Sequence, residues 1–218
     1  IGGTSLNSQA STSASGITTD TIGNIYLTGS FDNITDFNSG SGEDIKYSPD
    51  ESFYLTKINN DGSYGWTRIS TKAPDYLAVT YTKGLDITTD CANNIYVSGS
   101  FSGKVKIDDS NPIVSQGTGS DLFISSFNIN GVSKWVKYFN EPDPVNNSSV
   151  KGIIRVDNNG EITLVRTDKT SHLSTNRDEV WIKNFSGNNL SIDEFGNIYS
   201  VRTEQNGGQS YSPQIRID

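Results

Sequence analysis

The chain has 218 residues, 33% of them hydrophobic, and a net charge of -8. An acidic surface repels nucleic acid and anionic lipid, which argues against both as partners, and no apolar run approaches the ~18 residues of a membrane span. Ten Tyr, nine Phe and three Trp nevertheless supply the aromatic mass of a packed core, which disordered chains lack.

A single cysteine, Cys91, excludes an intrachain disulfide. It falls beside Asp90 in a predicted turn and reads as an ordinary thiol. A catalytic thiolate needs a basic partner, and the only histidine, His172, falls in an apparent loop. No signal peptide is visible. With no methionine and Ile1 at its start, the sequence reads as a processed product or an excised piece.

In chain order, the first block is Gly16 to Phe31, GITTDTIGNIYLTGSF. Two apolar, β-rich runs flank an Asp-x-x-Gly-Asn turn, the pattern of a hairpin. Asp20 is placed to accept backbone N–H bonds within the turn, and Gly23 to take positive φ. Phe53 to Trp66, FYLTKINNDGSYGW, is a second hairpin, with Asn60-Asp61-Gly62 as its turn. The pair then recurs. Gly84 to Phe101, GLDITTDCANNIYVSGSF, repeats the first block at a shift of 70 residues. Leu122 to Trp135, LFISSFNINGVSKW, repeats the second at a shift of 69 and turns at Asn130-Gly131. Asn93 stands where Gly23 does, and asparagine tolerates left-handed backbone well. Weaker copies follow at Ile153–Thr167 and Leu190–Thr203, with Asp157 and Asp193 as anchors and Gly160 and Gly196 at the turn.

A full repeat thus holds four strands in a meander, the make-up of one propeller blade. Ile25, Leu27 and Phe31 fall on one face, with Tyr26 and Thr28 on the other. Ile95, Val97 and Phe101 likewise oppose Tyr96 and Ser98. Neither face is charged, as expected of a sheet covered on both sides. Gly29 and Gly99 interrupt the strands and predict the close approach of another backbone, expected near a crowded central axis. The predicted fold is all-β, a β-propeller of four-stranded antiparallel blades. It forms one domain over residues 1–218, with repeats near 16–83, 84–149, 150–189 and 190–218. Anchor spacings are 70, 67 and then 36 residues. Either the third unit has lost a hairpin, or Leu190–Thr203 is its outer hairpin. Ile1-Gly2-Gly3 reads as the segment that follows a Trp strand. The N-terminal strand, residues 1–5, is therefore expected to complete the last blade of a ring of about four. The alternative is part of a larger array of about six to eight.

These residues resemble the SBBP family of β-propeller repeats. Its pattern runs apolar-x-x-D-x-x-G-N-I-Y-V-T-G-S-F, then a spacer, then F-x-x-K-apolar-x-x-x-G-x-x-x-W. Gly23–Phe31 and Phe53–Trp66 match it closely, with Lys57 at the usual lysine. The second copy has Ser126 at that place. The third keeps Asp157, Gly160 and Ile162, and its second half, EVWIKNF, lacks the G-x-x-x-W element. The resemblance implies a propeller and brings no shared catalytic residues.

The Asp-x-x-Gly-Asn turns raise calcium, but that ion takes about six to eight oxygens, and each turn supplies one or two carboxylates. No metal or cofactor is expected, with calcium the alternative. Asp108-Asp109 with Asn111 reads as an exposed oxygen-rich turn. Trp66 and Trp135 hold equivalent positions and, with Trp181, read as packing residues before sugar platforms. Recognition of protein or glycan is expected on the loops Asp32–Asp50, Lys72–Thr82, Asp109–Ser120, Asn140–Ser149 and Asp168–Asp178. Tyr47, Pro74, Tyr76 and Tyr81 offer contact there. Five N-x-S/T sequons, at Asn33, Asn146, Asn147, Asn184 and Asn189, are candidate glycosylation sites on a secretory route. Carboxylates paired near a histidine, a nucleophile elbow and a phosphate loop are all missing from the sequence. These features point to a non-enzymatic binding or assembly module of an extracellular or particle surface, such as a cell envelope or a virion. The alternatives are a carbohydrate-binding or carbohydrate-processing propeller, with or without calcium, and a polymerising structural subunit.

Overall fold

The computed structural model describes residues 4–5, 10–108, 111–117, 119–141, 150–166, 169–183, 189–192, 198–202, 205–206, 209–210 and 214–217. Its hairpins are built around the repeated aspartate. Asp20 Oδ1 accepts the amides of Ile22 (3.1 Å) and Asn24 (2.9 Å), and Oδ2 accepts Asn24 Nδ2 (2.7 Å) and the Tyr26 hydroxyl (2.9 Å). Asp90 repeats the set with Ala92, Asn94 and Tyr96. Asp157 keeps the two amides, of Asn159 (2.9 Å) and Glu161 (2.8 Å). Gly23, Asn93 and Gly160 take the left-handed place, at φ 88°, 61° and 83°. Four donors on one carboxylate close the turn and tie it to the tyrosine of the next strand.

The first sheet comprises β1 (Thr4–Ser5), β2 (Thr12–Thr19), β3 (Ile25–Asp36), β4 (Ile45–Ile58) and β5 (Tyr64–Ile69). β3, β4 and β5 pair in that order, and β2 and β1 both pair with β3. β6 (Thr71–Lys72) joins β9 (Lys104–Lys106) and β10 (Ile113–Val114) in a small flanking sheet. The second large sheet is β7 (Tyr81–Thr89), β8 (Ile95–Ser102), β11 (Asp121–Phe127) and β12 (Ser133–Phe139), paired as a meander. The third is β13 (Ile153–Val156), β14 (Ile162–Val165), β15 (Thr170–Leu173) and β16 (Glu179–Lys183). β17 (Asn189–Ile192) and β18 (Ile198–Arg202) follow, with β19 (Gln205–Asn206) and β20 (Gln209–Ser210) as a short ribbon and β21 (Gln214–Ile217) beside β18. All pairings are antiparallel, and no helix occurs among the described residues.

Period-2 alternation sends successive side chains to opposite faces, and here both faces are buried. The first strands of successive sheets lie side by side, β2 by β7, β7 by β13 and β13 by β17. Tyr26, Phe53 and Leu55 meet Ile95, Val97, Phe101 and Phe123 between the first two sheets. Tyr96, Leu122 and Ile124 meet Ile154, Ile162 and Leu164 between the second and third. At the second junction Arg166 pairs with Glu141 (2.7 Å) and Glu179 (2.9 Å), with its guanidinium 4.5 Å from the Phe139 ring centre.

The first two junctions also carry a latch each. Trp66 Nε1 donates to Ile129 O (3.2 Å), while Arg68 donates to Gly131 O (2.9 Å) and Asn130 O (3.2 Å) and stacks 5.2 Å from the indole. At the next junction Lys137 donates to Arg177 O (2.7 Å), and the Arg177 guanidinium lies 5.2 Å from the Trp135 ring. A tryptophan and a cation two residues later thus grip the outer turn of the following sheet. The ring gains a cation–π contact, and the turn's exposed carbonyls gain donors.

Several expectations are corrected. The third unit has not lost a hairpin, and Leu190–Thr203 is not its outer hairpin. β13 to β16 form a complete meander, while β17 and β18 belong to the next sheet. The 36-residue spacing arises because β14 turns into β15 through Arg166–Lys169 alone, where the first sheet makes an excursion along the outer halves of β3 and β4. Trp181 pairs with His172 as Trp66 pairs with Lys57, so it holds the equivalent place in the third sheet. His172 lies in β15, not a loop, and Asp168–Asp178 contains that strand. Asp32–Asp50 is largely paired strand. β1 joins the first sheet through Thr4↔Asp36 and Ser5↔Thr35 rather than completing a last one. Close backbone at Gly29 and Gly99 is as expected: their own sheet's first strand lies against both, and at Gly29 the next sheet comes near as well, a Cβ at Gly84 lying 3.0 Å from Gly29 N. β2 and β7 bulge there, so that an added Cβ would lie 1.9 Å from Ser13 O and 2.5 Å from Lys83 O.

Two outcomes follow. Gly29→Ala is expected to lower unfolding free energy by at least ~2 kcal/mol in urea titration, because the partner is backbone that must move. Burial pushes the Asp20 carboxyl up, but the hydrogen bonds led by Asn24 and Tyr26 outweigh it and hold it below its ordinary value. The carboxylate therefore stabilises the fold above the unfolded pKa of about 3.9. That contribution is lost as pH falls through the lower folded value. Asp20→Asn is expected to be less stable at neutral pH, and to lose less than the parent on acidification below about pH 4. Parallel stability–pH curves for the two proteins would contradict this.

Candidate functional site

The bulge between Phe31 and Asn33 turns β3 outward, and Asn33 takes φ 55° there. The outer half of β4 and the connection that leads to β7 close around it. The result is a cleft of about 400 Å³ lined by Ser13, Ser30, Asp32, Asn33, Asp50 and Tyr81, among others. Asp32 accepts the Ser11 amide (2.6 Å) and Asn33 Nδ2 (3.3 Å). Ser13 and Ser30 share a hydroxyl bond of 3.1 Å. Asp50 Oδ2 receives Lys72 Nζ, the Thr80 amide and the Thr80 hydroxyl, each at 3.1 Å. Burial alone would raise the Asp50 pKa, but the Thr80 and Lys72 donors prevail and hold it down. Val79 and Tyr81 line the cleft and stand exposed, and Leu77, two residues before Val79 in the same connection, is 96% exposed. The cleft offers hydroxyls, an amide and carboxylates beside an apolar, aromatic edge, which suits recognition of an amphiphilic surface.

Two other hollows are already spoken for by internal pairs. In the first, of about 480 Å³ between the first strands of the second and third sheets, Asp86 accepts Arg155 Nη1 (2.6 Å) and the Ile154 amide (3.0 Å). The second is a groove of about 730 Å³ beside the first latch. There Lys46 binds Asp44 (2.7 Å) and Lys134 binds Asn94 Oδ1 (2.8 Å).

Of the residues singled out by sequence, Asn33 lines the cleft, and the sequon's Thr35 is fully buried. Asn189 falls in β17. Asn146, Asn147 and Asn184 lie outside the described residues, as do Asp109, Asp193 and Gly196. Tyr81 reaches the cleft, Tyr47 and Pro74 are exposed elsewhere, and Tyr76 packs over Gly103. Asp108 is half-buried in the groove rather than exposed. Cys91 is exposed, with Sγ 3.9 Å from Asn158 O. His172 stacks on Trp181 (5.3 Å, 10°) and contacts Glu161 (3.1 Å) and Thr163 (3.3 Å), remote in sequence from the cleft-lining segments. The Asp50–Thr80–Lys72 set escaped sequence reading, because its members are 22 and 30 residues apart and belong to no motif.

No family model matches the chain, and no curated protein matches it. A crystal structure from Bacteroides caccae, described as a protein of unknown function, is similar in fold. The two superpose with a TM-score of 0.51 and 10% identity, over 96% of this chain and 62% of that one. This chain thus spans less than two thirds of that protein's length, and the likeness concerns architecture alone.

Replacing Asp50 with Asn leaves Lys72 and Thr80 with a weaker acceptor. The expected cost is about 1–2 kcal/mol, together with faster hydrogen exchange at the Thr80 amide. Unchanged exchange would mean that another contact holds the connection.

Proposed function

We propose that the chain is a β-propeller array of the SBBP-repeat kind, acting as a non-enzymatic binding module on an extracellular or particle surface. The supporting observation is a tryptophan, with a cation two residues later that donates to the next sheet's outer turn, at equivalent places of two consecutive junctions, between sheets whose first strands lie side by side. Sheets joined in that way radiate from their first strands, as blades do. A rigid stack of this kind holds the 72–81 connection and the β3 bulge in fixed relation, and loops on a rigid scaffold are where recognition concentrates. Asp32 and Asp50 in the cleft are occupied by structural donors, and its apolar rim favours contact over chemistry. Leu77, Val79 and Tyr81 then supply the buried area of the complex, and Asn33, Ser13 and Ser30 its polar complement.

Retention of the purified chain on isolated cell-envelope or particle preparations tests this, with a Leu77→Ser, Tyr81→Ala double variant as control. Retention is expected to weaken about tenfold in the variant, as for loss of an aromatic anchor. Equal retention of both proteins would remove the cleft from the function. Turnover of an offered glycan would replace the reading with a carbohydrate-processing one.

A further inference from the structure

The sequence holds three Asn-Gly pairs, Asn130-Gly131, Asn159-Gly160 and Asn206-Gly207, and Gly207 lies outside the described residues. Such a pair carries an electrophile and a nucleophile side by side. The glycine nitrogen, with no Cβ beside it to restrict its approach, reaches the asparagine Cγ by closing a five-membered ring. At Asn159 the aspartate cage holds the residue at both ends. Asp157 accepts the Asn159 amide at 2.9 Å and its Nδ2 at 3.4 Å. At Asn130 the side chain is exposed and makes no hydrogen bond among the described residues.

The nucleophile next to it is held down by the first latch. The Gly131 amide donates to Asn128 O (2.8 Å). Gly131 is buried, with the Trp66 ring 2.9 Å from its Cβ position. Arg68 grips the 130–131 peptide and the next one, through Asn130 O (3.2 Å) and Gly131 O (2.9 Å), and Trp66 Nε1 grips Ile129 O (3.2 Å). The Gly131 nitrogen turns toward Cγ only when these bonds break. A side chain ready to react is thus joined to a backbone that reacts only from a locally opened junction.

We propose that Asn130 is a self-modification site gated by the first latch, deamidating when Trp66 and Arg68 release the turn. The Gly131 nitrogen loses its proton to solvent base and attacks Asn130 Cγ. The N–Cγ bond forms, the Cγ–Nδ2 bond breaks, and ammonia leaves with a proton from solvent. Water is the only other reactant. Where it opens the cyclic imide at Cγ, the main chain is restored and aspartate remains, the residue already present at the equivalent place as Asp61. Where it opens the imide at the main-chain carbonyl, isoaspartate remains. The main chain is then one carbon longer, and the two acceptors of Arg68 are no longer neighbouring peptide carbonyls. The first junction keeps a covalent record of its own openings, whatever the Tyr81 cleft binds.

The whole chain is aged at mildly alkaline pH and followed by peptide-mapping mass spectrometry. A synthetic peptide of Phe127 to Lys134 (FNINGVSK) serves as the unlatched reference. Aspartate and isoaspartate are expected at position 130, at least about tenfold more slowly in the chain than in the peptide. Arg68→Ala is expected to speed the reaction in the chain about tenfold while leaving Asn159 unchanged, because losing two hydrogen bonds raises the open fraction. Asn130→Gln is expected to abolish the mass gain in this segment. Should Arg68→Ala fail to fold, urea below the unfolding transition of the parent replaces it, and the Asn130 rate is expected to rise in step with exchange of the Gly131 amide. Equal rates in chain and peptide would overturn the gate. So would an Asn130 rate that neither Arg68→Ala nor urea changes, or an equal acceleration at Asn159 in the Arg68 variant.

Discussion

A four-stranded antiparallel sheet with apolar side chains on both faces cannot stay alone in water. Each of its faces must find another sheet, and in this protein that requirement organises everything else. Tyr26 faces one neighbour while Leu27 and Phe31 face the other way, and Tyr96 and Val97 divide in the same manner. Burying such side chains contributes about 1.5–3 kcal/mol each. The alternation that would make one solvated face in an isolated sheet here makes two cores.

Apolar contact alone sets no angle or order between sheets. The latches do. An indole N–H and a guanidinium at the first junction, and a lysine ammonium at the second, are aimed at backbone carbonyls of a left-handed turn, and such directional bonds fix which turn meets which strand. The conformation matters more than the residue that adopts it, since Gly131 and Arg177 take nearly the same φ and present the same carbonyl. The price at Arg177 is a strained non-glycine residue, offset by its stacking on Trp135.

Inside each sheet the aspartate cage performs a parallel task. In the first two sheets it converts one side chain into four hydrogen bonds and couples a turn to the tyrosine of the following strand, and in the third it keeps the two amide bonds of the turn. The excursions beyond Phe31 and Phe101 then vary freely, because the hairpin is already closed at its other end. The third sheet dispenses with its excursion altogether and keeps the meander. The cleft beside Asn33 is a product of that freedom, assembled from segments that the repeat itself does not require.

The hairpins, their turns, the two-faced strands and the tandem order were all legible in the residues alone. Each depends on contacts within a few positions, such as Asp20 with Asn24 and Tyr26, or on period-2 alternation. The third unit's completeness was not, because its tryptophan strand lacks the glycine that marks the others, and only pairing with His172 assigns Trp181 its place. The strand membership of His172, the pairing of β1 with β3 and the Asp50–Lys72–Thr80 and Asp86–Arg155 sets were decided by tertiary structure. Their partners lie tens of residues apart, and a linear pattern carries no information about which distant groups the stacking of sheets brings within reach.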